Sequence, residues 1–271
     1  MARDGRMTRR SALATSGLAG LALAAVAGDK PGPSAPPKGA PAKDAAPGVQ
    51  YTLYCFNNST NPGAFCVYQN DPNIGINNVM SLAWFAKEAG QTTLIKFGWS
   101  IDYSFVWSQT GALKPGVTFD ASQNWPADLT TTNQVTFDKV TSSSGGSYYT
   151  FEDQKAGPQP GSLTVVEGQN IAQGEASVGI GMSGSGTYLM QAQPNLNLTF
   201  TPHPVYFLTF GDYWPGLVLD TQQISHPLLV AFPANVYVMT ATLNPDNTWT
   251  LTQGPPSSDL RKKLLVRARA R

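Results

Sequence analysis

Between residues 95 and 107 every odd-numbered position is apolar or aromatic: Ile95, Phe97, Trp99, Ile101, Tyr103, Phe105 and Trp107. The even positions carry Lys96, Gly98, Ser100, Asp102 and Ser104, with Val106 as the exception. Successive side chains of an extended strand point to opposite faces, so the alternation places all seven on one face. At about 3.3 Å per residue the run spans roughly 40 Å, longer than most strands, and a bend or bulge near Gly98 or Ser100 is expected. The opposite face is the polar one. The aromatic face therefore reads as the core side of a sandwich rather than as a sugar-stacking platform.

Shorter strand-like runs follow the same logic at 51–56, 65–69, 134–140, 148–151, 162–166, 177–182, 187–192, 196–201, 206–210, 228–232, 236–243 and 248–252, with turn residues between them. About a dozen short strands at this spacing predict an all-β fold, an antiparallel β-sandwich. The last two runs form a hairpin across Asn244-Pro245-Asp246-Asn247, where Pro fixes φ and Asp and Asn favour the turn. A single short helix is expected at 79–89, with Asn78 as its cap and Gly90 as its stop.

Composition divides the chain. Residues 1–27 read as a twin-arginine-type export signal: Thr8-Arg9-Arg10-Ser11-Ala12-Leu13, a weakly apolar stretch to Ala24, and the small-residue cleavage pattern Ala25-Val26-Ala27. An ordinary secretory signal is the alternative, and the stretch is too short and weak for a spanning anchor. Residues 28–48 hold six Pro and five Ala, which is linker material. Residues 49–256 are long enough for one β-sandwich domain, or for two small ones closely fused, and the single domain is the expectation. Residues 257–271 carry Arg261, Lys262, Lys263, Arg267, Arg269 and Arg271 and read as a basic disordered tail, with anionic lipid or wall polymer as its alternative partner.

The near-neutral total charge averages over unlike pieces. The body 49–256 keeps five Lys, no Arg and thirteen acids, a formal charge of −8. Without Arg it makes no bidentate phosphate contacts, and its negative surface repels polyanions, so nucleic acid is set aside as its partner. Cys55 and Cys66, the only cysteines, flank a turn-rich loop, and a hairpin there would bring them face to face. In an exported protein a disulfide closing that loop would contribute about 3 kcal/mol, against the alternative of two buried thiols. Two cysteines and two histidines make no structural zinc site, and no cofactor is expected.

Motifs that carry chemistry fail on context. Gly179-Ile180-Gly181-Met182-Ser183-Gly184 has the glycine spacing of a dinucleotide-binding loop, but the chain continues as a strand where a helix is needed. The glycines read better as close strand packing or a bulge. The same stretch nearly matches an esterase elbow around Ser183, yet Ser185 stands where the final Gly belongs. His203 and His226 are Pro-flanked loop residues. Asp71-Pro72-Asn73-Ile74-Gly75-Ile76-Asn77 lacks the glycine position and the twelfth ligand of a calcium loop. Asp102, Asp120, Asp128, Glu152 and Asp220 would make a glycosidase only if two of them met in space. Trp125-Pro126 and Tyr213-Trp214-Pro215-Gly216 lie in expected loops, so Trp125, Tyr213 and Trp214 are the binding candidates, against the alternative that they cap the core.

Across most of 51–251 the chain resembles the rhizosphere-induced (rhizosphere-expressed) proteins of soil and plant-associated bacteria. The resemblance rests on Asn57-Asn58-Ser59-Thr60, Val67-Tyr68, Met80-Ser81-Leu82-Ala83-Trp84, Asp102-Tyr103-Ser104-Phe105-Val106-Trp107, Pro115-Gly116-Val117, Ala121-Ser122-Gln123, Gly179-Ile180-Gly181-Met182-Ser183-Gly184, Gln191-Ala192-Gln193-Pro194-Asn195 and Thr240-Ala241-Thr242-Leu243-Asn244. It implies production near plant roots and brings no reaction, cofactor or catalytic residue with it. The export segment, the linker and the basic tail are departures from the family pattern. The expected function is a secreted or periplasmic, non-enzymatic β-sandwich that binds a carbohydrate or cell-envelope component. The alternatives are a polysaccharide-active hydrolase built on a carboxylate pair and a self-assembling surface protein.

Overall fold

The computed structural model describes residues 48–70 and 78–268. The expected export signal, nearly all of the linker and the stretch 71–77 lie outside the described residues. Seventeen strands run through the rest. The first seven are β1 (Gln50–Asn57), β2 (Ala64–Gln69), β3 (Met80–Ser81), β4 (Phe85–Glu88), β5 (Leu94–Ser100), β6 (Tyr103–Ser108) and β7 (Gln123–Ala127). Then come β8 (Gln134–Thr141), β9 (Ser147–Lys155), β10 (Leu163–Glu167), β11 (Ser177–Met182), β12 (Ser185–Gln191) and β13 (Asn197–Phe200). The last are β14 (Tyr206–Gly211), β15 (Leu228–Val230), β16 (Val238–Leu243) and β17 (Trp249–Gln253), followed by α1 (Ser258–Ala268).

They form four sheets that face each other in two pairs. Sheet A, in the order β17-β16-β1-β5, faces sheet B, β15-β14-β2-β4, across a core that includes Leu53, Phe65, Val67, Phe97, Trp99 and Leu208. Sheet C, β3-β12-β11-β6-β7, faces sheet D, β13-β10-β8-β9, across Phe105, Trp107, Phe137, Phe151, Ile180 and Phe200. The pairings are antiparallel except β1 with β16 and β8 with β10. Sheets C and D are built from 103–200, apart from β3, so the second sandwich is an insertion between the two halves of the first. Gln123 ties its open side: Oε1 accepts from Trp107 Nε1 at 2.7 Å and from the Phe151 amide at 3.0 Å.

The all-β sandwich expectation holds, and the last hairpin forms around its predicted turn, with Asn247 N donating to Asn244 O at 3.0 Å. The long alternating run breaks at Ile101-Asp102, just beyond the expected Gly98–Ser100 bend. Phe97 and Trp99 enter the first core, Phe105 and Trp107 the second, and Ile101 is 43% exposed between them.

The helix expected at 79–89 is not there. That stretch is extended, and Asn78 has a positive φ of 74°, unlike the β-region backbone of an N-cap. Leu82, Ala83 and Trp84 are buried in three different apolar clusters, which three consecutive helical residues could not reach. Tertiary burial overrides a sequence of good helix formers. The helix lies instead in the expected disordered tail, where the Ser257 hydroxyl accepts from Leu260 N at 3.2 Å and Asp259 occupies the first turn.

The expected disulfide is not formed either. Cys55 and Cys66 are buried free thiols, because β1 and β2 do not pair: β1 lies between β16 and β5 in sheet A, β2 between β14 and β4 in sheet B. Cys55 packs between the sheets and Cys66 on the outer side of sheet B. Burial pushes both thiols above the usual range.

The glycine-rich motif is β11 and its turn into β12. A bulge falls between Ile180 and Gly181, and a Cβ on Gly179 would stand 1.9 Å from the Tyr188 carbonyl oxygen. Gly179→Ala is therefore expected to destabilise the protein by about 3 kcal/mol. Gly146→Ala, where the nearest atom is 3.7 Å away, should stay within about 0.5 kcal/mol. Urea unfolding of the two variants checks this.

Candidate functional site

Strand β14 ends at Gly211, and the chain then turns back over the outer side of sheet B, where Leu217 and Leu219 pack with Cys66 and Tyr68. Leu217, Val218 and Leu219 anchor this return. Ala83 N donates to Leu217 O and Gly216 N to Ala83 O, while Val218 N donates to Val117 O and Leu219 N to Ser81 O. Residues 212–216 are left as a short loop pinned at both ends. Trp214, 42% exposed, stands on it, and its Nε1 donates to Thr118 Oγ1 at 2.8 Å. That bond fixes the indole in place while leaving it open to solvent.

A cleft opens on each side of this loop. The larger, about 530 Å³, is lined by Pro62, Gly63, Ala64, Glu88, Asp212 and Tyr213, with Ala89, Gly90 and Gly211. The smaller, about 200 Å³, is lined by Trp84, Phe119, Asp120, Ser185, Pro215 and Gly216, among others. Gly184 and Gly186 of the β11–β12 hairpin contribute bare backbone to its wall. Of the charged lining groups all are carboxylates: Glu88 and Asp212 in one cleft, Asp120 in the other. Such concave, mixed polar and aromatic surfaces on a rigid scaffold are where ligands bind.

Of the three aromatic candidates, two share this loop and one does not. Tyr213 walls the larger cleft and packs beside Tyr68, Leu217 and Leu219. Trp125 sits on β7 opposite Phe105, half-buried against the C–D core, with Phe151 at 5.8 Å between ring centroids. Thr118 and Trp214 lie on the other side of sheet C, where Val106 and Phe119 pack. Trp125 thus lies at the edge of the C–D core.

The five carboxylates weighed as a catalytic pair occupy separate elements. Asp102 Oδ1 accepts from Ser183 N at 2.9 Å, and Asp128 Oδ1 from the amides and hydroxyls of Thr130 and Thr131. Asp220 is bonded to Gln222 and Gln223, and Glu152 is exposed on β9. Ser183, the near-elbow serine, has the positive φ of 51° that a tight hairpin turn needs. Its hydroxyl is engaged with Ser100 and Asp102, and the Ser100 amide donates to it at 2.8 Å. It fastens one sandwich to the other. Among the described residues no group of three or more His, Cys, Asp or Glu could hold a metal ion.

Glu88 and Asp212 escaped the sequence reading. Glu88 lay inside the expected helix, and what brings it to the cleft is the pairing of Ala64 with both Glu88 and Gly211. Asp212 had one legible signal, its place next to Tyr213.

The most displaced carboxyl is Glu167, at the end of β10 and 3% exposed. Burial pushes it up to about 8, only partly opposed by the Gln193 amide, which donates to Oε1 at 3.3 Å; Oε2 has no partner. It stands outside both clefts. Unfolded, it titrates near about 4.3. Both states hold the proton below that value, and only the folded state holds it between there and about 8. Stability therefore falls as pH rises through this window and levels off above it. The expected loss between about pH 5 and about pH 9 is on the order of 4 kcal/mol from this group, and Glu167→Gln should flatten it in urea titrations.

A family model described as RhiA matches residues 48–254. The chain is also 40% identical over 209 residues to "Protein RhiA" of Rhizobium leguminosarum bv. viciae, covering 76% of this chain and 87% of the relative. No solved structure matches.

Proposed function

The chain belongs to the RhiA family, and we propose that it is a non-enzymatic glycan-binding protein that works outside the cytoplasm, holding a carbohydrate or cell-envelope polymer against the loop around Trp214. One observation carries the reading: an exposed indole, fixed by its bond to Thr118, between two clefts with polar rims. Sugars present flat C–H faces ringed by hydroxyls. An open aromatic ring takes the face, and neighbouring carboxylates and bare backbone take the hydroxyls. The absence of Arg from the body and its negative charge favour a neutral or cationic polymer over a phosphorylated one. The twin arginines and the small-residue cleavage pattern at 25–27 support export.

Pull-down of the purified protein on plant, fungal and bacterial wall polysaccharides tests this. Saturable binding is expected, weakened about tenfold or more by Trp214→Ala. Trp125→Ala should instead lower the unfolding midpoint and leave the affinity of the folded protein unchanged. Binding to none of the polymers, or equal binding by the Trp214→Ala protein, would overturn the reading. Separately, replacing Arg9 and Arg10 by Lys should leave the protein in the cytoplasmic fraction of the producing cell.

A further inference from the structure

The larger cleft owes its shape to missing side chains. Gly211, Ala64 and Glu88 are directly opposite one another on the adjacent strands β14, β2 and β4. With strands about 4.8 Å apart, the backbones of Gly211 and Glu88 stand about 10 Å from each other, with only the Ala64 methyl between them. Gly63 and Gly211 complete the floor, and at both a Cβ would run into a neighbouring ring, Phe210 at 2.9 Å and Tyr213 at 3.1 Å. The result is a trough with Glu88 on one wall and Asp212 and Tyr213 on the other.

The floor is held rigidly. Ala89 N donates to Gly63 O at 2.7 Å, and the wholly buried Asn57 amide donates to Ala89 O and Asn61 O, both at 2.9 Å. The carboxylates, by contrast, form no ion pair among the described residues. Lys87, next to Glu88 on β4, points to the opposite side of the strand, where its Nζ donates to Lys96 O at 2.7 Å and lies over the Phe97 ring. Among the described residues the ion pairs join Lys139 to Glu175 and Lys155 to Asp153, away from the trough. A preformed, aromatic-walled cleft of ligand size thus carries two carboxylates that no described cation pairs with.

We propose that this trough seats the ammonium group of an amino-sugar unit, with Glu88 and Asp212 flanking the amine and the Tyr213 ring against the sugar face. The inference rests on the glycan reading and names its ligand class: a polymer whose residues carry free amines. A charge-assisted hydrogen bond is about twice as strong as a neutral one, so the amine decides the preference.

Two tetrasaccharides with the same β-1,4-linked backbone isolate that group: one of glucose, and one of glucosamine with free amines. Calorimetric titration of the full-length protein is expected to give about tenfold tighter binding of the amino form at low salt, with the preference shrinking as ionic strength rises. In the Glu88→Gln/Asp212→Asn double variant the two affinities should become equal. Both positions are exposed and the changes keep shape, and a thermal melt verifies folding. Equal binding of the two sugars by the unaltered protein, or a preference that survives the double variant, overturns the amine seat and leaves the glycan reading standing. Binding of neither sugar, with polysaccharide pull-down also negative, overturns both. A titration with calcium alone that shows the same dependence on Glu88 and Asp212, without any preference for the amine, also overturns it.

Discussion

Two sandwiches made from one chain need a joint, and here the joint is a small set of hydrogen bonds around Ser183. Its hydroxyl and amide reach Ser100 and Asp102, the residues on either side of the point where the chain leaves the first sandwich. Beside it, Trp84 Nε1 donates to the Met182 carbonyl at 2.9 Å, a bond from the A–B core to the last residue of β11. Met182 itself packs in the first core although its strand belongs to the second. The positive φ at Ser183 and at Gly184 is what lets the hairpin turn here and present that hydroxyl. The smaller cleft is lined by the same hairpin, so the geometry of a candidate binding surface follows from the joint.

Local patterning carried the sequence reading a long way. Each of the twelve short runs is a strand because alternation and turn residues are local properties, and the Asn244–Asn247 turn was legible for the same reason. Three short strands, β3, β4 and β7, were not. Met80 and Ser81 form two residues of pairing with β12, dictated by a partner more than a hundred residues away. β7 contains Pro126, which argues against a strand except at a sheet edge, and an edge is where it lies. The run at 95–107 shows the limit most clearly. Its alternation is genuine, yet nothing local says that its two ends serve different cores, because the switch is set by where β6 and β5 find their partners.

The candidate surface was legible in its aromatic residues and not in its acids. Trp214 and Tyr213 stood out by type and by the Pro-Gly that follows. Trp125 carried the same signal, and only its register opposite Phe105 assigns it to the core edge. Glu88 became a cleft residue through cross-strand register, a quantity with no trace in its own neighbourhood. A composition without Arg, by contrast, constrained the choice of ligand from the start, since it removes the side chain best suited to holding phosphate.

The parallel pairing of β1 with β16 sets an order of events. β1 is the first described strand and β16 lies about 190 residues further on, so sheet A cannot close until β16 has been made. The inserted segment 103–200 has all but the two-residue strand β3 within reach of itself and can collapse earlier. Loop closure over such a sequence separation is entropically costly and slow. Until it happens, β1 and β5 present an unpaired edge and the aromatic half of the first core. The first sandwich is thus the part of the fold that stays open longest during synthesis, since its closure waits for β16.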